Sequence, residues 1–280
     1  MPLDHQLSDA TVTAPAIENP IIITDLDGTL LDHETYSYAE ALPALNRLKQ
    51  LGIPLILASS KTAAEIAPLR AELGFSHCEA IVENGSGILE AGNYEQGAGE
   101  NYQQILQILN SLPPDLRRQY QGFSDWSAEE VSARTGLSLN QAAMAKQRRF
   151  SEPGLWLGNE ADREEFIASI AARGLSALQG GRFTTLSFGG NKAQRMMELA
   201  RRHSSDAGEP FTVALGDARN DVAMIESARL GVIIPNPAHG GIPQLEGEVT
   251  GRVIRAPSPG PKGWNQAITS LLDQWQTIQE

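Results

Sequence analysis

Short apolar runs alternate with segments of helical periodicity at both ends of the chain. Near the N-terminal end, apolar runs at 21–24, 53–58 and 79–82 predict strands that are buried on both faces. Apolar residues at helical spacing predict helices at 39–51 and 66–73 between them. This order is typical of a parallel sheet covered by helices on both sides. We therefore expect an α/β fold with a doubly wound, mainly parallel, Rossmann-like sheet.

The same alternation returns in the last third of the chain. The segments 211–215, 230–234 and 252–254 predict further strands. Helical periodicity at 192–203, 219–229 and 263–279 predicts the helices that follow or separate them. The two ends of the chain are therefore expected to build one sheet together.

The middle of the chain has a different pattern, richer in glutamine, serine and short helical stretches. Ser127 with Glu130 and Ser138 with Gln141 form two capping boxes, which predict two short helices. The pair Gly180-Gly181 between two short apolar runs predicts a hairpin. This pattern indicates an α+β domain inserted into the sheet domain. The expected division is a flexible N-terminal tail at 1–19, a core domain at 20–87 and 188–280, and an inserted cap domain at 88–187.

Composition and charge exclude several classes of protein. The net charge of the 280-residue chain is −12, which disfavours nucleic acid as a partner because such proteins need a basic surface. The longest apolar runs, such as Ile53 to Ala58, are too short to cross a bilayer, and residues 1–19 lack the pattern of a secretory signal. We therefore expect a cytoplasmic protein. A single cysteine, Cys78, rules out an internal disulfide and a cysteine-based zinc site.

Polar residues follow three of the predicted strands at their carboxyl ends, where open parallel sheets bind ligands. These residues are Asp25 and Asp27, then Ser59, Ser60 and Lys61, and finally Asp217 and Asp221. Neighbouring carboxylates repel each other unless a cation lies between them, and Mg²⁺ prefers carboxylate oxygens together with water and phosphate. A carboxylate can also act as a nucleophile toward phosphorus. The set therefore suits phosphoryl transfer with Mg²⁺ as cofactor.

The combined motifs resemble those of the haloacid dehalogenase-like hydrolases. Asp25-Leu-Asp-Gly-Thr-Leu-Leu31 resembles the nucleophile motif of that family, and Ser59 resembles its second motif. Lys192 and Gly216-Asp-Ala-Arg-Asn-Asp221 resemble the third and fourth motifs, in the correct order. The long insertion between the second and third motifs resembles the subgroup that carries an α+β cap.

This resemblance implies a role for each residue. Asp25 would be the nucleophile, Asp27 the general acid and base, and Ser59 and Lys192 the ligands of the phosphoryl oxygens. The implied Mg²⁺ ligands are Asp25, Asp27 through its backbone carbonyl, Asp217 and Asp221. Asp221 would alternatively orient Lys192 or a water bound to the metal.

Further segments resemble cap-bearing phosphatases that act on phosphorylated sugar acids. They include Ala58–Thr62, Glu83–Gly85, Arg149–Pro153, Gly180–Phe183 and Pro259–Trp264. The substrate-binding residues that we expect from these segments are Ser60, Lys61, Glu83, Asn84, Gly85, Arg149, Glu152, Gly181, Arg182 and Asn191. The resemblance favours mannosyl-3-phosphoglycerate as the substrate, hydrolysed through an aspartyl-phosphate.

Alternative interpretations remain open at the level of sequence. The substrate could instead be glucosyl-3-phosphoglycerate or a sucrose-phosphate-like ester, and the reaction could be that of a sugar phosphomutase. A non-catalytic sugar-phosphate-binding regulator is a further alternative. Arg149 and Arg182 could be ordinary surface arginines, and Lys61 could be a solvated lysine at the start of a helix. Trp156 could face the sugar or belong to the interior of the cap.

Overall fold

The structure is a computed structural model, and it describes residues 19–92, 99–205, 208–238 and 240–279. The flexible tail expected at 1–19 lies outside the described residues except for Asn19. Among the helices of the described part of the chain, none has the length and apolar composition that crossing a membrane requires.

The described residues form eleven strands and eleven α-helices. The strands are β1 Pro20–Thr24, β2 Leu55–Ala58, β3 Ala80–Val82, β4 Gly87–Leu89, β5 Tyr120–Gly122, β6 Ser151–Trp156, β7 Ser176–Gly180, β8 Phe183–Ser187, β9 Phe211–Gly216, β10 Leu230–Ile233 and β11 Val253–Arg255. The helices are α1 Leu42–Gln50, α2 Ala63–Glu72, α3 Glu100–Asn110, α4 Pro114–Arg117, α5 Ala128–Thr135, α6 Leu139–Ala145, α7 Glu160–Ala171, α8 Lys192–Arg202, α9 Val222–Ser227, α10 Glu246–Val249 and α11 Gly260–Gln279. Single 3₁₀ turns lie at Ala39–Ala41, Glu83–Gly85 and Arg219–Asp221.

The central sheet has seven strands in the order β11-β10-β9-β1-β2-β3-β4. All of its neighbours pair in parallel except β3 and β4. The expected doubly wound, mainly parallel sheet is therefore confirmed. β1 lies between β2 and β9, with Thr24 opposite Leu57 and Leu215. Because these three strands end together, the residues that follow them meet at one edge.

Helices cover both faces of this sheet, as the apolar strands require. Alternate residues of β1 explain the two layers, because successive side chains of a strand point to opposite faces. Ile22 packs in the cluster that contains Trp264 and Ile268 of α11. Ile23 packs in the opposite cluster with Met196 of α8.

The boundary between core and cap differs slightly from the one expected at 87/88. Gly87–Leu89 pairs antiparallel with β3 and so completes the central sheet. The core sheet therefore continues to Leu89, and the inserted domain begins after it. A hydrophobic pattern could not reveal this edge strand, because three residues are too short to show a period.

The cap is an antiparallel sheet of four strands in the order β5-β6-β8-β7. The hairpin predicted at Gly180-Gly181 joins β7 to β8, and Gly181 takes the positive φ that the turn requires. On one face of the sheet, Phe166 of α7 stacks against Tyr120 and also contacts the ring of Trp156, at centroid distances of 5.3 and 5.0 Å. Trp156 therefore belongs to the interior of the cap.

We expect Phe166→Ala to lower the free energy of unfolding of the cap by about 3–5 kcal/mol, because it removes a ring that two others contact and leaves a cavity. Chemical denaturation followed by tryptophan fluorescence measures this loss. Phe188→Ala is the control, because Phe188 is 41% exposed. Equal losses in the two variants would contradict the proposed packing.

Candidate active site

Three buried carboxylates meet at the carboxyl edge of the central sheet. Asp25 directly follows β1, and Asp217 directly follows β9, the neighbouring strand. Asp221 ends the 3₁₀ turn that comes next in the chain. One carboxylate oxygen of each residue lies within 4.8 Å of the others. Sequence positions that are nearly two hundred residues apart therefore form one cluster.

Lys192 lies inside this cluster as the first residue of α8. Its ammonium donates to Asp25 Oδ1 at 2.5 Å and to Asp221 Oδ1 at 2.7 Å, and all three side chains are buried. Burial alone would lower the pKa of Lys192, but the charges of Asp221 and Asp25 outweigh it and raise that pKa. The lysine therefore stays protonated and pairs with both acids.

Asp221 is held from two sides. Its second oxygen, Oδ2, accepts from the backbone N–H groups of Asp217 at 3.3 Å and Ala218 at 3.1 Å. Gly216 allows this approach, because a Cβ there would lie 2.4 Å from Cβ of Asp221. The carboxylate is thus fixed in the position from which it accepts from Lys192.

Asp217 is held by two side chains that sequence reasoning did not select. The hydroxyl of Thr29 donates to Oδ1 at 2.9 Å, and the amide of Asn236 donates to Oδ2 at 2.7 Å. Thr29 lies within the motif that begins at Asp25, so the sequence contained a signal that it belongs to the site. Asn236 follows β10 in a loop without a recognisable motif. Its role depends on the sheet order, which places β10 beside β9.

Asp27 lies apart from the three clustered carboxylates. Its Oδ2 accepts from the ammonium of Lys61 at 2.5 Å, and both side chains are partly exposed. Its Oδ1 is buried without a hydrogen-bond partner among the described residues. The side chain of Asp27 therefore does not join the group that could hold a metal. A ligand role through its backbone carbonyl remains an expectation.

The charges of the cluster fit a divalent cation. When all three carboxylates are ionised, one ammonium leaves two negative charges uncompensated at a buried position. Burial raises the pKa of Asp25 well above its usual range, and the carboxylates of Asp221 and Asp217 raise it further, while Lys192 opposes them. A cation among these oxygens would favour their charged forms. Oxygen ligands of this kind suit Mg²⁺.

The remaining core residues predicted for the site lie around this cluster. Ser59 follows β2, is buried, and its hydroxyl accepts from the N–H of Lys61 at 3.2 Å. Asn191 caps α8, because its side chain accepts from the N–H of Gln194 at 2.9 Å. Gly85 contacts the same helix start, and a Cβ there would lie 2.1 Å from the carbonyl carbon of Asn191. Asn191 and Gly85 thus support Lys192 rather than line the cavity described next.

A cavity of about 670 Å³, which we term the cap cleft, lies between the carboxyl edge of the core and the cap. Its walls contain polar residues from both domains and apolar residues from the cap. They are Ser60, Glu83, Asn84, Phe123, Arg148, Pro153, Leu178, Gln179, Gly180, Gly181, Phe183, Thr185, Arg219 and Asn220. Of the ten residues expected to bind substrate, Ser60, Glu83, Asn84 and Gly181 are in this wall.

Glu83 joins the core to the cap. Its buried carboxylate accepts from the N–H groups of Arg149 at 2.8 Å and Phe150 at 3.1 Å, and from the hydroxyl of Ser151 at 2.7 Å. It also pairs with Arg148 at 3.3 Å. All four partners lie at the start of β6. With every contact satisfied inside the protein, Glu83 acts as an anchor for the cap.

The turn that carries Glu83 has an unusual backbone. Glu83, Asn84 and Gly85 have φ values of 51°, 57° and 88°, a left-handed region that costs a non-glycine residue about 1–3 kcal/mol. Backbone hydrogen bonds from Glu83 to the carbonyl of Lys61 and from Asn84 to the carbonyl of Ser59 hold the turn in place. Such a conformation persists only where the surrounding contacts fix the backbone.

Three cap residues expected at the substrate lie elsewhere. Glu152 is fully buried and bonds to Tyr102 and Ser124, so it belongs to the cap interior. Arg149 is not among the residues that line the cleft, whereas its neighbour Arg148 is. Arg182 is directed toward the carbonyl of Thr135 at 3.5 Å and lies over the ring of Phe183.

Comparisons with known proteins identify the family of this chain. A family model described as haloacid dehalogenase-like hydrolase matches residues 22–128. A glucosyl-3-phosphoglycerate/mannosyl-3-phosphoglycerate phosphatase of Persephonella marina is 33% identical over 91% of this chain and 97% of its own length. One of the same name from Methanococcoides burtonii is 34% identical over 92% and 99%. The chain therefore belongs to the haloacid dehalogenase-like hydrolases, as its motifs predicted.

Within that family the chain is a phosphoric monoester hydrolase. Its fold resembles that of the sucrose-phosphatase of Synechocystis sp., which was solved with sucrose and phosphate. The two structures superpose with a TM-score of 0.56 at 17% identity, over 91% of this chain and 98% of the other. At this identity the likeness concerns the fold.

We expect Gly28→Ala to weaken Mg²⁺ binding by about 10- to 100-fold. A Cβ at this position would lie 2.2 Å from Asn236 Nδ2 and 2.8 Å from Asp217 Oδ2. It would therefore break the hydrogen bond from Asn236 that orients the carboxylate of Asp217. Calorimetric titration with Mg²⁺ measures the effect. Gly52→Ala is the matched control, because Gly52 also has a positive φ but no atom within 4 Å of its Cβ position. The same affinity in both variants would contradict this account.

Proposed function

We propose that the protein is a magnesium-dependent phosphatase of a hexosyl-3-phosphoglycerate, with mannosyl-3-phosphoglycerate as the first candidate. The observation that carries the proposal is the cluster of Asp25, Asp217 and Asp221 around Lys192. The turn between Asp217 and Asp221 also carries Arg219 and Asn220, which line the cap cleft. Two relatives, each about one third identical over most of the chain, are named as phosphatases of glucosyl- and mannosyl-3-phosphoglycerate. Both hexoses are therefore candidates.

In the first step of the proposed reaction, a carboxylate oxygen of Asp25 attacks phosphorus. The bond between phosphorus and the ester oxygen breaks, and an aspartyl-phosphate forms. Asp27 donates a proton to the leaving oxygen, which becomes the hydroxyl of the hexosylglycerate. The unpartnered Oδ1 of Asp27 is suited to exchange this proton. Lys61 would leave Asp27 for the arriving phosphate, a more highly charged partner.

In the second step, water attacks the phosphorus of the aspartyl-phosphate. Asp27, now a carboxylate, accepts a proton from that water. The bond between phosphorus and the Asp25 oxygen breaks, which releases inorganic phosphate and restores the carboxylate. Lys192 stays charged throughout and stabilises the negative charge that develops on the phosphoryl oxygens.

The residues that would hold Mg²⁺ are Asp25, Asp217 and the backbone carbonyl of Asp27, with Asp221 close by. When bound, the ion would supply positive charge against the phosphoryl oxygens and reduce the repulsion between Asp25 and its anionic substrate. Thr29 and Asn236 would keep Asp217 in one orientation for this purpose.

Recognition of the sugar acid would fall to the cap cleft. Its volume of about 670 Å³ is within the range of sites that hold small ligands. Arg219 supplies positive charge from the core, and a guanidinium matches a carboxylate in geometry, whereas the charge of the buried Arg148 is paired with Glu83. Gln179 and Asn220 add amide groups suited to sugar hydroxyls. We propose Arg219 as the principal partner of the glycerate carboxylate, because it is exposed in the cleft.

Phosphate release from a panel of substrates tests the function. We expect the wild type to hydrolyse mannosyl- and glucosyl-3-phosphoglycerate with a higher kcat/KM than sucrose phosphate or simple sugar phosphates. Activity should disappear with a chelator and return with Mg²⁺. Asp25→Asn should remove turnover while circular dichroism shows an intact fold. Turnover by Asp25→Asn would rule out the covalent mechanism. A higher kcat/KM for simple sugar phosphates would rule out hexosyl-3-phosphoglycerate as the preferred substrate.

Arg219→Ala should raise KM for hexosyl-3-phosphoglycerate by about 10- to 100-fold, because it removes a charge-assisted hydrogen bond to the carboxylate. KM for p-nitrophenyl phosphate, which has no carboxylate, should change little. Arg182→Ala is the matched control, since Arg182 is equally exposed but directed away toward Thr135. A larger increase in KM for Arg182→Ala than for Arg219→Ala would contradict the proposal and indicate that Arg182 binds the carboxylate.

A further inference from the structure

A buried indole lies beneath the nucleophile. Trp264, in the first turns of α11, has no exposed surface, and its Nε1–H donates to the hydroxyl oxygen of Thr24 at 3.0 Å. Thr24 is the last residue of β1 and is also fully buried. The contact joins two positions that are 240 residues apart in the chain. A buried indole N–H needs an acceptor, and the fold supplies it immediately before Asp25.

The hydroxyl of Thr24 forms a second hydrogen bond, which links the indole to Asp25. It donates to the backbone carbonyl of Asp25 at 2.7 Å. An indole N–H can only donate, so the Thr24 oxygen must act as its acceptor and direct its own proton elsewhere. The indole therefore fixes the direction of the hydroxyl. Neighbouring hydrogen bonds in such a chain also strengthen one another.

The carbonyl of Asp25 belongs to the peptide that joins Asp25 to Leu26. On one side of this peptide, the N–H of Asp25 donates to the carbonyl of Leu215 at 2.9 Å. On the other side, the carbonyl of Leu26 accepts from the N–H groups of Thr29 and Leu31. Rotation of the peptide between these fixed points would displace the carbonyl carbon of Asp25 and so change the direction of its side chain. The Thr24 hydroxyl is placed to prevent that rotation.

We propose that Trp264 is a positioning residue for Asp25, acting through the hydroxyl of Thr24 on the peptide after Asp25. The proposal rests on the proposed role of Asp25 as the nucleophile. Reacting groups must be held to within a fraction of an ångström, and small misplacements lower turnover without weakening substrate binding. Trp264 contacts neither the cap cleft nor the carboxylate cluster, so its effect should appear in kcat.

The start of α11 is shaped to place this indole. The segment Pro259-Gly-Pro-Lys-Gly-Trp264 was a motif without an assigned role. A Cβ on Gly263 would lie 1.8 Å from the carbonyl oxygen of Ser258, so only glycine lets the helix begin so close to the preceding loop. Asn265 then accepts from the N–H of Ala44 at 2.9 Å and joins α11 to α1. These contacts give the indole one position.

Two tryptophan variants of the full-length protein test the proposal. Trp264→Phe keeps an aromatic ring and removes the N–H donor. We expect its kcat on hexosyl-3-phosphoglycerate to fall by about 10- to 100-fold, with KM within about two-fold of the wild type. Trp275→Phe makes the same chemical change on the same helix, where the ring contacts Phe211, and should leave kcat unchanged. Near-ultraviolet circular dichroism and thermal melting report the folded fraction by which each kcat is corrected.

Variants of Thr24 test the positioning role independently, even if Trp264→Phe folds poorly. Thr24→Val keeps the shape of the side chain but removes the hydroxyl, and it should lower kcat as Trp264→Phe does. Thr24→Ser keeps the hydroxyl and should retain most of the activity. Because both residues act through one hydrogen-bond chain, the double variant Thr24→Val with Trp264→Phe should be no slower than Thr24→Val alone.

The outcomes separate this inference from the proposed function. Unchanged kcat in both Trp264→Phe and Thr24→Val, or losses that multiply in the double variant, would overturn the positioning role. A loss in Thr24→Ser equal to that in Thr24→Val would overturn it as well, because packing would then explain the effect. Turnover by Asp25→Asn would instead overturn the proposed nucleophile.

Discussion

The buried contact of Lys192 with Asp25 and Asp221 is the interaction on which the site depends. It ties the start of α8 to the end of β1 and to the turn after β9. Removing one partner of a buried ion pair leaves an uncompensated charge, which costs about 3–5 kcal/mol. The carboxylates carry more negative charge than the lysine balances, so the cluster is arranged for a further cation. The repulsion between these carboxylates therefore favours a divalent cation among their oxygens.

A second constraint connects this edge to the cap. Glu83 follows β3 in a left-handed conformation, and its carboxylate binds the start of β6 through Phe150, Ser151 and their neighbours. The adjacent Gly85 packs against the start of α8, which carries Lys192. This turn therefore contacts both the cap and the helix that positions Lys192. This connection places the wall of the cap cleft at a defined distance from the carboxylates.

The residues of the candidate site that could be located from sequence are those that follow strands of the sheet. Apolar runs located the strands, and the acids at 25, 217 and 221 came directly after them. The cap was harder, because its residues have no such reference point. Whether Arg148 or Arg149 enters the cleft depends on the bend before β6, and Glu152 looked available only because its partners Tyr102 and Ser124 are distant in sequence. Asn236 was missed for the same reason.

The sequence by itself determined the class of fold with its cap and located the acids that we propose as reactive groups. Periodicity and motif spacing are local properties, so they can be identified in the sequence before any tertiary contact is known. The tertiary structure decided which side chains are in contact: Thr29 and Asn236 with Asp217, Glu83 with the cap, and the indole of Trp264 with Thr24, the residue before Asp25. These contacts join residues far apart in the chain. They exist because strand order and helix packing bring the elements together, which no local pattern records.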